Sequence, residues 1–207
     1  LHKSDGAGGF RWSSARALSA HKQAEDLGGL CFDADGDGDD DLFCAAGSTE
    51  FEAGNEAYRN RLYLNNGQGG FELAPQGTLP DLRDSSSSVS AADFDRDGDL
   101  DLFVGSRLRP GAYPLSPASR LLLNNGGSFT DVTEGKAPGL LEAGAVTGAC
   151  WSDVDGDGWL DLLLAVDWGP IRFFKNVEGR LEERTDEAGL SARTGWWNGI
   201  SGRDVDH

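Results

Sequence analysis

The chain has 207 residues, of which 30 are Gly and 38% are hydrophobic, and it carries a formal net charge of −17. That length can bury a good core, but the glycine content and the lack of any long 3.6-residue apolar period argue against a helical domain and for an all-β one. So acidic a chain disfavours nucleic acid or an anionic membrane as partner, and no apolar run is long enough for a membrane helix.

Residues 1–12 align with residues 62–73, Gly6, Gly8, Gly9 and Phe10 falling on Gly67, Gly69, Gly70 and Phe71. The chain therefore opens inside a repeat, and residues 1–25 read as the end of a preceding unit and its connector. Residues 26–85 form the first complete unit. A strand near Gly28–Phe32 leads into Asp33-Ala-Asp-Gly-Asp-Gly-Asp-Asp-Asp41, a second near Leu42–Ala45 leaves it, and a third, Arg61-Leu-Tyr-Leu, follows a long connection. The turn Asn65-Asn-Gly-Gln-Gly-Gly supplies residues that tolerate positive φ, and the fourth strand starts at Phe71.

The order repeats in residues 86–144 and 145–192. Their loops are Asp93-Phe-Asp-Arg-Asp-Gly-Asp-Leu-Asp101 and Asp153-Val-Asp-Gly-Asp-Gly-Trp-Leu-Asp161, each starting 60 residues after the one before. Strands at Val89–Phe94 and Thr147–Val154 enter these loops, strands at Leu100–Gly105 and Leu160–Val166 leave them, and Arg120-Leu-Leu-Leu and Ile171-Arg-Phe-Phe supply the third strands. Phe129 and Leu181 start the fourth. Residues 193–207 begin a further unit, whose Asp204 and Asp206 are the first two carboxylates expected of a fourth metal loop. Four antiparallel strands in about 60 residues is the plan of a β-propeller blade. The expectation is three complete blades with partial blades at both ends, a window on a longer polypeptide.

Each loop offers carboxylates at positions 1, 3, 5 and 9 and Gly at position 6. That spacing of oxygens suits Ca²⁺ at about seven-fold coordination, with one ion expected per complete loop and three in all. The expected donors are Asp33, Asp35, Asp37 and Asp41; Asp93, Asp95, Asp97 and Asp101; and Asp153, Asp155, Asp157 and Asp161. The main-chain carbonyls of Asp39, Asp99 and Trp159 join them at position 7. Trp159 is informative there, because a ligand acting through its main chain leaves the side chain free to vary. Were the loops mere solvated turns, so many crowded carboxylates would repel one another and destabilise the fold. An EF-hand would need a bidentate Glu at position 12, where Cys44, Val104 and Leu164 stand. Zinc lacks its usual ligands, and magnesium fits a flexible carboxylate cage less well.

The motif Asp-Phe-Asp-Arg-Asp-Gly-Asp-Leu-Asp-Leu-Phe-Val followed by Arg-Leu-Leu-Leu-Asn-Asn-Gly-Gly-Ser-Phe-Thr-Asp-Val closely resembles the FG-GAP/VCBS repeat. That repeat occurs in integrin α-subunit propellers, cartilage acidic protein-like proteins and large secreted bacterial proteins. The resemblance spans nearly the whole chain and implies a calcium-bearing propeller, usually of seven blades, exported from the cytoplasm. The segments Trp196-Trp197-Asn198 and Trp168-Gly169-Pro170-Ile171 look most like the bacterial members.

Calcium sites of extracellular modules typically have dissociation constants of about 10⁻⁴ to 10⁻³ M, too weak for cytosolic calcium to fill. Extracellular, cell-surface or periplasmic residence follows. His2, His21 and His207 are scattered, so no catalytic group stands beside the loops. The leading expectation is a non-enzymatic adhesion, scaffold or protein-interaction module whose protein or glycan ligand is open. The alternatives are a polysaccharide lyase or hydrolase and a structural subunit of a surface assembly or fibre. Recognition is expected on the long connections, Gly47–Asn60 and Ser106–Ser119, as readily as mere packing. The run Ser85–Ser88 reads as an exposed connector, and Trp151, Trp196 and Trp197 as packing between blades rather than a sugar platform. Cys31 and Cys44 allow a cross-strand disulfide, although Val104 and Leu164 at the place of Cys44 favour a buried thiol.

Overall fold

Each aspartate loop is the tip of a β-hairpin, in a computed structural model that describes residues 2–4, 10–12, 17, 20–21, 23–68 and 70–202. Strands β1 (His2–Ser4) and β2 (Phe10–Trp12) pair with each other. β3 (Asp26–Phe32), β4 (Asp41–Ala46), β5 (Arg61–Asn65) and β6 (Phe71–Leu73) then form an antiparallel sheet in sequence order. The second sheet repeats that order with β7 (Ser86–Ala92), β8 (Asp101–Ser106), β9 (Arg120–Asn125) and β10 (Ser128–Asp131). The third consists of β11 (Ala145–Ser152), β12 (Asp161–Pro170), β13 (Arg172–Asn176) and β14 (Leu181–Glu183). It gains a fifth member, β15 (Thr194–Trp196), paired with the far end of β12.

The register is the same in all three sheets. Phe32 faces Asp41, Ala92 faces Asp101 and Ser152 faces Asp161 at the hairpin tips. Each entry strand also carries a register shift near its start, at Asp26/Gly28, Ser86/Ser88 and Val146/Gly148. Between the strands lie one helical turn at Thr133–Lys136 and two short 3₁₀ segments, Glu56–Tyr58 and Pro138–Glu142.

Apolar side chains pack between successive sheets. Every residue of β8 is buried, because alternate side chains point to opposite faces and both faces are covered. Leu102 and Val104 join Phe32, Phe43 and Leu62 of the first sheet in one core. Phe103 joins Val146, Leu162 and Phe174 of the third in another, together with Leu140 of the connecting segment. Removing side chains of this size from water contributes about 1.5–3 kcal/mol each, so these two cores hold the sheets face to face.

The entry strands converge so closely that side chains would collide. A Cβ added to Gly47 would lie 2.0 Å from the Ser86 carbonyl oxygen, and one on Gly28 would lie 2.7 Å from that of Ser87. This corrects the reading of Ser85–Ser88 as an exposed connector. Ser86–Ser88 lie in β7, Ser85 and Ser86 are buried, and the Ser87 hydroxyl donates to the Val146 carbonyl at 2.7 Å. Small polar residues stand there because the space between strands admits nothing larger.

The expectation for the tryptophans divides. Trp151 stacks on Phe94 of the second loop with ring centroids 6.3 Å apart, and so packs between neighbouring units. Trp196 is exposed and lies 4.5 Å from Trp168, itself exposed on β12. β15 ends at Trp196 on the edge of the third sheet, and beyond it Gly199 comes within contact of Gly148 on β11. Asp204, Asp206 and His207 lie outside the described residues.

Candidate metal centres

The three loops close on themselves through their own carboxylates. Asp33 accepts the Gly36 and Gly38 amides at 2.8 and 3.0 Å, and Asp153 accepts those of Gly156 and Gly158 at 2.8 and 2.9 Å. Asp93 accepts the Asp97 and Gly98 amides at 3.1 and 3.2 Å. Position 6 is left-handed throughout, with φ of 90° at Gly38, 101° at Gly98 and 86° at Gly158, which glycine adopts without a steric penalty. Position 4 is left-handed too, and there Arg96 takes the place held by Gly36 and Gly156.

Carboxylate oxygens of Asp33, Asp35 and Asp37 lie within 4.8 Å of one another, as do those of Asp93, Asp95 and Asp101 and those of Asp153, Asp155 and Asp161. Asp37, Asp97 and Asp157 each accept the amide of position 7 at 2.9 Å. At position 7 the Asp99 side chain accepts the Gly126 amide at 2.7 Å, so it turns toward the neighbouring turn and away from the loop centre. The Trp159 ring lies beneath the guanidinium of Arg96, 4.2 Å from its centroid.

Position 9 is the fixed wall. Asp41, Asp101 and Asp161 are fully buried, and each accepts two backbone amides. One oxygen takes the amide of position 2 (Ala34, Phe94, Val154) at 2.9–3.2 Å. The other takes that of Asn65, Asn124 or Asn176 at 2.7–2.8 Å. Burial raises all three carboxyls above the ordinary range, Asp101 to about 7, against the lowering effect of those amides; the loop aspartates add to the rise. A divalent cation would oppose that rise by favouring the charged form.

Asn65, Asn124 and Asn176 head the three turns that follow the third strands, yet none of them has positive φ. The left-handed conformation falls instead on Gly67, Gly126, Gly127, Glu178 and Gly179. The asparagine side chains tie sheets together. Asn124 donates to Leu100 O of its own loop and to Ala34 O of the first loop, and Asn176 donates to Leu160 O and to Phe94 O of the second. Their recurrence at the head of every turn was the signal available. Two lysines gave none: Lys136 pairs with Asp95 at 3.1 Å, and Lys175 pairs with Asp155 and, at 3.1 Å, with Asp157.

The donor set fits a hard cation. Every cluster is oxygen-only, and Oδ1 of Asp95 is buried without a hydrogen-bond partner among the described residues, which costs free energy unless something positive meets it.

A family model described as an FG-GAP-like repeat matches residues 33–104 and 114–164, starting on the first loop aspartate. The chain belongs to the FG-GAP-like repeat family. FG-GAP-like repeats typically occur in extracellular proteins and suggest an adhesion or protein-interaction module. No curated protein matches the chain. Among the described residues, no helix is long and apolar enough to cross a membrane.

Proposed function

We propose that these sheets are blades of a calcium-bearing β-propeller that acts outside the cytoplasm as an adhesion, scaffold or protein-interaction module, with calcium in a structural role. The observation that carries the reading is the buried Oδ1 of Asp95, without a partner among the described residues, in the second of three carboxylate clusters that recur at a 60-residue interval. Asp33, Asp35, Asp37 and Asp41 and their equivalents in the other two loops would hold the ion, with the position 7 carbonyls of Asp39, Asp99 and Trp159. Calcium, when bound, would neutralise the clustered carboxylates and favour the folded chain by mass action, about 1.4 kcal/mol per site at tenfold excess over Kd. The protein's own part is rigidity: the position 9 aspartates are held by paired backbone amides before any ion arrives. No acid–base pair is assigned a chemical step, and the module is read as non-enzymatic.

Titration calorimetry with Ca²⁺ should give about one ion for each of the three loops, and a stoichiometry near zero would defeat the reading. Asp93→Ala should lose one site and lower Tm in calcium buffer far more than in EDTA; equal losses in the two buffers would count against the metal role.

A further inference from the structure

A cleft of about 510 Å³ opens between the second and third sheets, away from the aspartate loops, lined by Tyr113, Pro114, Ser116, Gly144, Asp167 and Trp168. Tyr113 is 71% exposed, Trp168 62% and Trp196 61%. Large aromatic faces left in water on a soluble protein mark a contact surface. This one is held in place. The β12–β15 ladder shifts register between Asp167 and Gly169, Trp168 sits there at φ 64°, and the Trp197 indole donates to the Gly169 carbonyl at 3.0 Å. The bulge turns Trp168 outward, where it meets Trp196.

Asp167, 7% exposed, belongs to the same cleft. Arg107 spends Nε and one Nη on a single oxygen of it, Oδ2, both at 2.8 Å. The other oxygen, Oδ1, is buried and has no partner among the described residues. A buried acceptor left unpaired costs about 1–3 kcal/mol, so a hydroxyl donor belongs there.

We propose that this cleft is a glycan-binding site for a neutral pyranose. The apolar C–H face of a sugar ring would lie on the Trp168–Trp196 pair, with Tyr113 across the cleft. A ring hydroxyl would donate to Asp167 Oδ1 while the guanidinium of Arg107 donates to a neighbouring one. The charges select this ligand. A cationic group would meet Arg107, which already neutralises Asp167. A polyanion would be repelled by a chain of formal charge −17. An apolar peptide would leave Asp167 Oδ1 unpaired. The site names a ligand class for the interaction module proposed above and rests on that reading.

The test uses the calcium-loaded chain, titrated by calorimetry and tryptophan fluorescence with cellohexaose, xylohexaose, mannohexaose, maltohexaose and galactohexaose, and with oligogalacturonate and choline as charged probes. At least one neutral oligosaccharide should bind with millimolar or tighter Kd and outcompete both charged probes. Trp168→Ala should weaken it at least tenfold without changing the calcium stoichiometry. Trp196→Ala, on the exposed β15, serves the same purpose should Trp168→Ala fail to fold. Absence of binding by every neutral probe, unchanged affinity in the folded variant, or preference for choline or oligogalacturonate would overturn the site. Three bound calcium ions with no sugar bound would sink the glycan proposal alone, and sugar binding by a chain whose calcium stoichiometry is near zero would sink the metal reading alone.

Discussion

A buried acid behaves according to what shares its burial, and Cys44 shows this apart from the metal loops. It lies at the strand position held by Val104 and Leu164 in the other sheets, and burial, with the charge of Asp26, pushes its thiol up to about 11. All three cysteines are free, and the register sets Cys44 opposite Gly29 and Cys31 opposite Leu42, so the buried-thiol reading describes Cys44. An acid whose folded pKa lies above its unfolded one favours the folded state while both are protonated. That advantage is lost as pH rises from the unfolded value, near 9, toward the folded one, because the unfolded thiol ionises first. Relative to Cys44→Val, the native chain should lose about 2 kcal/mol of stability between pH 9 and 11. Denaturant unfolding of the two proteins across that range measures it, and parallel pH profiles would refute it.

Strands and loops were legible in the sequence to a similar depth. Asp and Gly recur with a period that only a repeated hairpin tip explains, and the apolar runs after them are buried on both faces as expected. What the pattern hid was contact between elements. A serine run reads as polar surface unless the glycines opposite it, Gly28 and Gly47, are known to be neighbours. Nothing local to Trp168 reveals a bulge paired to a strand some 30 residues later. The lysines belong to the same class. Among the described residues no cation pairs with Asp33, Asp35 or Asp37, whereas Lys175 reaches two carboxylates of the third loop from β13. A bound cation must displace that ammonium, so Lys175→Gln should tighten the third site about two- to fivefold, the range of an exposed ion pair. Tryptophan-sensitised terbium luminescence, with Trp159 standing within that loop, compared between the two proteins reads the change at this site. Unchanged or weaker terbium binding would show that the lysine does not compete.

The molecule as a whole is a chain of sheets in which each loop leans on its neighbour. Asn124 of the second sheet fastens the first loop through Ala34, and Asn176 of the third fastens the second through Phe94. The second and third loops also touch directly, Arg96 donating to the Gly158 carbonyl and covering Trp159. In a repeat protein, nearest-neighbour contacts of this kind carry most of the coupling. Ordering one loop should therefore order the next, and linkage requires the effect to be mutual. Asp93→Ala, which disables the second loop, should weaken terbium binding at the third loop severalfold. Asp33→Ala, in a loop with no hydrogen bond or ion pair to the third among the described residues, should leave it nearly unchanged. Equal effects from the two substitutions would mean that the loops respond to overall charge, because removing a carboxylate from either changes net charge alike. A difference between them, persisting at high salt where exposed charges are screened, can come only from the contacts that join adjacent sheets.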